Sequence, residues 1–115
     1  MTGAGERFYS GRPSDGVTVR AANKPETRRG LALRLDLASH SPTGFAWGYA
    51  GSGAAQLALA LLADALGDDA RALRLHQDFK ARVVMRLPRR WTLTRSRIVA
   101  HVRQLEFDAT LRVAS

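Results

Sequence analysis

Gly51-Ser52-Gly53 stands directly before a run of alanine and leucine, and its spacing could build a site from backbone alone. Free N–H groups at a helix N-terminus, aided by the helix dipole, can hold a phosphate or a carboxylate. The stretch lacks the Lys and Ser/Thr of a P-loop, and its glycines are not spaced as in the dinucleotide fingerprint. Ser52 is not set in the Gly-x-Ser-x-Gly elbow of hydrolases. The simpler expectation is that Ser52 caps the helix while Gly51 and Gly53 let the backbone pass close to the preceding loop. His40, His76 and His101 offer no i, i+4 pair, so no metal site is expected. The close carboxylates, Asp68 with Asp69 and Glu106 with Asp108, fall at element ends, where capping and solvation explain them better than acid/base work. These patterns assign no catalytic residue and no cofactor.

Charge carries a stronger signal. The chain holds 18 Lys and Arg against 10 Asp and Glu, a formal net charge of +8. Through Ala70, seven basic and seven acidic residues cancel, whereas Arg71 to Arg103 holds ten basic residues against Asp78 alone. Nine of these are arginines: Arg71, Arg74, Arg82, Arg86, Arg89, Arg90, Arg95, Arg97 and Arg103. Solubility does not require such a concentration, and a one-sided positive field attracts polyanions and acidic protein surfaces. The expected partner is therefore nucleic acid or an acidic or nucleoprotein complex, bound on a basic C-terminal helical surface. Phe45, Trp47 and Tyr49 alternate in a glycine-rich loop and should half-bury against a neighbouring helix. A ring among them that faces outward beside arginine would suit stacking on bases.

These residues need elements to position them. At 115 residues the chain has the size of one domain, able to bury roughly two-thirds of its unfolded surface. It has no cysteine, which excludes a disulfide-held secreted scaffold and points to the cytoplasm. Met1 to Ser14 contains no apolar run and is not expected to act as a signal. The run Leu57 to Ala63 falls far short of the ~20 residues that span a bilayer, so no membrane role is expected. Arg7–Ser10 and Val17–Arg20 read as a hairpin through Pro13, Asp15 and Gly16. Leu31–Leu37 alternates leucine with other residues and reads as a third strand, after a turn at Asn23–Pro25. Ala54–Leu66 reads as a central helix stopped by Gly67, with Asp68 or Asp69 capping the next. That second helix turns Ala72, Leu75, Phe79 and Val83 inward and should end at Pro88. Thr92 or Thr94 should cap a third helix with Ile98, Val99, Val102 and Leu105 inward, and Glu106–Ser115 should form a strand or a loose tail. The expected class is α+β: one domain with a small antiparallel sheet of about three N-terminal strands on about three helices, residues 1–6 and 110–115 being loosely held.

The segment Ser41-Pro42-Thr43-Gly44-Phe45-Ala46-Trp47-Gly48-Tyr49-Ala50-Gly51-Ser52-Gly53-Ala54-Ala55-Gln56-Leu57-Ala58-Leu59-Ala60 resembles the core SPxGFxWGYxGSGPAQLALA of an uncharacterised domain family of small bacterial, phage and plasmid proteins. Phe79-Lys80, Val83-Val84, Leu87-Pro88 and Trp91-Thr92-Leu93-Thr94 resemble it as well, so the likeness spans most of residues 31 to 99. It implies a domain with no assigned reaction. Ala54 replaces an expected proline, and Arg95 and Arg97 replace expected acids at a helix start, where positive charge opposes the helix dipole. The reading that follows is a non-enzymatic binding protein of mobile-element origin that contacts nucleic acid or a nucleoprotein complex, including an inhibitor of the anti-CRISPR kind. Two other classes are a small ligand-binding or transferase-like domain using Gly51–Gly53, and a structural or oligomerisation module.

Overall fold

The computed structural model describes residues 5–114. Strand β1 (Arg7–Arg12) pairs antiparallel with β2 (Gly16–Ala21), from Arg7 opposite Ala21 to Arg12 opposite Gly16. Gly16 closes the turn at φ 72°, a left-handed conformation that favours glycine. Strand β3 (Lys24–Gly30) adds to the far side of β2, and β4 (Trp91–Thr94) to the far side of β1. The sheet order is β3-β2-β1-β4.

Period-two alternation sorts this sheet into two faces. Tyr9, Gly11, Val17, Val19 and Trp91 are buried in the core. Phe8, Ser10, Arg12, Thr18, Arg20 and Thr92 stand on the opposite face, where they line one groove. The Trp91 indole lies against the Gly11 backbone, in space that any Cβ at that position would occupy.

Helix α1 (Ser52–Leu66) consists almost wholly of alanine and leucine, strong helix formers, and residues Ala54 to Ala63 are all buried. It is the central helix, as its composition predicts. Gly67 ends it at φ 63°, donating its N–H to the Ala63 carbonyl. Asp68 caps α2 (Asp69–Arg82) by accepting from the Arg71 N–H at 3.0 Å, and Ala72, Leu75, Phe79 and Val83 face the core. Helix α3 (Arg95–Ala114) buries Ile98, Val102 and Leu105, while Thr94 Oγ1 caps it by accepting from the Arg97 N–H at 3.2 Å. Among the described residues no helix is long and apolar enough to cross a membrane.

Five expectations are corrected. Leu31–Leu37 is not a strand: Arg34 sits at φ 57°, its guanidinium bound to Asp36 and Asp69, and the Leu33 carbonyl accepts from the Gln56 side chain instead of a neighbouring strand. The third strand is Lys24–Gly30 and begins inside the expected turn, so the chain reverses at Ala22-Asn23. Its Lys, Pro and Arg residues are all exposed at the sheet edge, a composition that discourages pairing with a further chain. Helix α2 ends at Arg82, ahead of Pro88; a 3₁₀ turn follows at Val84–Arg86, and the Val84 carbonyl accepts from the Gly48 N–H at 3.0 Å. Trp91–Thr94, expected at a helix start, is the fourth strand. Residues 106–114 continue α3, where Glu106 meets Arg71, Asp108 meets Arg82 at 3.5 Å, and Gln104 bonds Asp108 one turn on. Of the ends expected to be loose, residues 1–4 and 115 lie outside the described residues, and Glu6 is tied to Ser96.

Those Glu6 bonds also answer the expected cost at the start of α3. The Glu6 carboxylate accepts from the Ser96 N–H (3.0 Å) and hydroxyl (2.6 Å), and these bonds hold its carboxyl below the usual carboxylate range. An acid from before β1 thus supplies the negative charge that the first turn of α3 lacks. Arg95 reaches the other way, donating Nε–H to the Ala65 carbonyl at 2.8 Å, at the negative C-terminal end of α1.

Candidate functional site

With α1 and α3 packed over one face of the sheet and α2 against both helices, the other face is open. It carries a groove of about 370 Å³ bordered by Phe8, Arg12, Arg20, Arg28 and the hydroxyls of Ser10, Thr18 and Thr92. β1 contributes Phe8, Ser10 and Arg12 by its alternation, β2 contributes Thr18 and Arg20, and β4 brings Thr92 opposite Ser10. The Ser10 and Thr92 hydroxyl oxygens lie 3.3 Å apart. Arg20 lays its guanidinium over the Phe8 ring, 4.5 Å from the centroid, and donates to the Ala21 and Ala22 carbonyls at 3.3 and 2.9 Å. This contact holds a planar cation in a fixed orientation. Arg12 and Arg28 are exposed, and among the described residues no carboxylate lines the groove.

A second groove, of about 510 Å³, begins at Pro13, the residue after Arg12, and is walled by Phe45, Trp47, Tyr49, Leu87 and Arg89. Trp47 donates its indole N–H to the Arg89 carbonyl at 3.1 Å and packs edge-on against Trp91, ring centroids 5.8 Å apart. Phe45 and Trp47 are half-buried, whereas Tyr49 is 62% exposed. The aromatic loop is thus part core and part surface.

The nine arginines of the basic segment divide into two sets. Arg71 forms a two-pronged pair with Glu106 (2.9 and 2.6 Å), which raises the guanidinium pKa and lowers that of the carboxyl. Arg82 faces Asp108, and Arg95 is used on Ala65. Arg74, Arg86, Arg89, Arg90, Arg97 and Arg103 are exposed. Arg89 and Arg90 directly precede β4, and Arg89 borders the second groove; Arg74, Arg97 and Arg103 stand on α2 and α3.

Gly51 is the N-cap of α1 and, among the described residues, no side chain caps the helix, so the expected Ser52 cap is not formed. A Cβ on Gly53 would come within 2.7 Å of the Ala46 Cβ. The close approach that glycine allows there is filled by the protein's own aromatic loop.

The chain's linear spacing hides one pairing. His40 and His76 meet with their Nε2 atoms 2.9 Å apart, and the His76 Nδ1–H donates to the Leu73 carbonyl at 2.7 Å. The His76 Nε2 is then the acceptor, and His40 supplies the proton. Burial, with His76 and Lys80 nearby, lowers the His40 pKa from its ordinary 6.5. Burial also lowers that of His101, helped by Arg82 and Arg97. A lowered folded pKa means that the unfolded chain binds more protons, so stability is full above about pH 6.5 and declines as pH falls through that value. We expect thermal unfolding midpoints a few degrees lower at pH 5.5 than at pH 7.5, and a smaller difference in His40→Gln. Equal midpoints for the wild type at the two pH values would contradict this.

The fold and its surfaces thus define a small α+β domain with one covered and one open, basic sheet face. The chain belongs to the Family of unknown function (DUF6166), whose family model matches residues 8–104. No curated protein and no solved structure was found to match it.

Proposed function

We propose that the protein binds nucleic acid through the open face of its sheet. The observation that carries this reading is the grouping of Arg12, Arg20 and Arg28 around Phe8 in a groove without a carboxylate. Arginine suits phosphate because its planar fork donates two parallel bonds, and the three hydroxyls add neutral donors at the same level. The exposed arginines beside β4 and on α2 and α3 extend the positive field that draws a polyanion in. The basic segment read from the sequence then serves attraction more than contact.

Fluorescence anisotropy with a labelled oligonucleotide tests this. Three phosphate contacts predict that affinity falls roughly 20- to 40-fold between 50 and 200 mM salt. The combined substitution Arg12→Glu, Arg20→Glu and Arg28→Glu should abolish measurable binding and leave the circular dichroism unchanged, because none of the three side chains lies in the core. Arg74→Glu, Arg97→Glu and Arg103→Glu together should weaken binding less, mainly in its association rate. The reverse order of the two triple variants, or an affinity indifferent to salt, would refute the assignment of the surface.

A further inference from the structure

We infer that the nucleic acid taken is single-stranded, with an unpaired base stacked on Tyr49 in the aromatic groove. The inference rests on the nucleic-acid reading above. Arg12 lines the first groove, and Pro13, the next residue in the chain, lines the second together with Arg89, which offers a phosphate backbone held by Arg12 a way on toward Arg89. There the surface changes from basic and hydroxylated to aromatic, and Tyr49 is exposed.

The aromatic wall is held in place before any ligand arrives. Gly48, at φ 83°, bonds the 3₁₀ turn through Val84, and Trp47 bonds the Arg89 carbonyl while packing on Trp91 of β4. With the loop before it held in this way, less freedom is lost when the exposed Tyr49 ring is covered. A base supplies the flat, apolar face that covers it, and Arg89, which lines the same groove, suits the phosphate that follows. Duplex bases are already stacked on one another and show only their edges in the grooves, so a duplex reaches Tyr49 only by giving up pairing and stacking. The geometry therefore separates single strands from duplexes and carries no base-edge readout.

The test compares labelled oligothymidylate with a duplex of equal length, both at 50 mM salt, by anisotropy and by quenching of tryptophan fluorescence. The wild type should prefer the single strand and show quenching with it. Tyr49→Ala should lower single-strand affinity roughly 5- to 100-fold with duplex affinity unchanged, and Tyr49→Phe should retain most of it. If the wild type binds both forms equally, or if Tyr49→Ala leaves single-strand binding intact, the inference is overturned while salt-dependent sheet-face binding stands. If neither form binds, the nucleic-acid reading falls with it.

Discussion

Gln56→Leu is expected to destabilise the protein by about 3–5 kcal/mol, measured as a lowered midpoint of urea unfolding. Gln56 is fully buried in the first turns of α1, and its amide is fully used. Nε2 donates to the Leu33 and Ala38 carbonyls at 2.6 and 3.0 Å, and Oε1 accepts from the His40 and Ser41 N–H groups at 2.7 and 3.0 Å. Two donors and two acceptor lone pairs are all that the side chain has. The segment between β3 and α1 has no ladder of its own, so this amide does for it what a neighbouring strand would. Leucine fills similar space but strands two carbonyls and two N–H groups, each at about 1–3 kcal/mol when dry, with water admitted from the loop's outer side reducing the sum. The same loop carries His40 and Tyr49, so the variant should also lose the pH dependence assigned to His40 and the stacking assigned to Tyr49. A loss below about 1 kcal/mol would mean that the segment is held by its leucines.

This amide also explains why the segment is misread from sequence. Leu31, Leu33, Leu35 and Leu37 have the period of a strand, yet Leu31 is buried and Leu35 is 40% exposed, because the left-handed Arg34 turns the chain between them. Periodicity reports which side chains alternate; it does not report that one glutamine, sixteen residues or more down the chain, has claimed the backbone. The hairpin, α1, the Gly67 stop and the Asp68 and Thr94 caps are legible because each is fixed by local chemistry within a few residues. β3 and β4 are not: one is a polar edge and the other is four residues long, and both are strands only because β2 and β1 lie beside them.

The candidate site was hidden by a cancellation. Acids and bases balance through Ala70 along the chain but not in space: Asp64 takes Arg7 and Arg29, Asp36 and Asp69 take Arg34, and Arg12, Arg20 and Arg28 are left around one groove without a carboxylate. The strand alternation of Phe8, Ser10 and Arg12 with Thr18 and Arg20 was the signal that could have placed them together. Conversely, the excess read in Arg71–Arg103 is partly neutralised by Glu106 and Asp108, which the sequence puts in a tail and the fold puts beside α2.

Asp64→Ala carries the second large effect, and its sign differs between stability and binding. The carboxylate accepts from the Tyr9 hydroxyl at 2.6 Å, from Arg7 Nη1 at 3.0 Å and from Arg29 Nη2 at 3.2 Å, tying the last turn of α1 to β1 and β3. Burial alone would push this carboxyl up, but Tyr9 and the two guanidinia outweigh it and hold it below the usual range; the Tyr9 hydroxyl, buried and donating to a carboxylate, is pushed up. Removing one partner of a buried pair costs about 3–5 kcal/mol. Arg7 and Arg29 retain side-chain exposures of 40% and 55%, so water recovers part of that, and about 2–4 kcal/mol is expected near pH 7. The folded pKa lies below the ordinary 3.8, so the contribution is present above that value and lost as pH falls through the folded one. The gap between wild type and variant should therefore narrow as pH falls below 3.8, and a gap independent of pH would assign the loss to packing. The same substitution releases Arg7 and Arg29, which line a small groove together with Arg20, so positive charge near one arginine of the proposed site rises. A less stable protein that binds oligonucleotide somewhat more tightly is the expected outcome for Asp64→Ala. A purely structural role for this acid would leave binding unchanged or weaken it along with the fold.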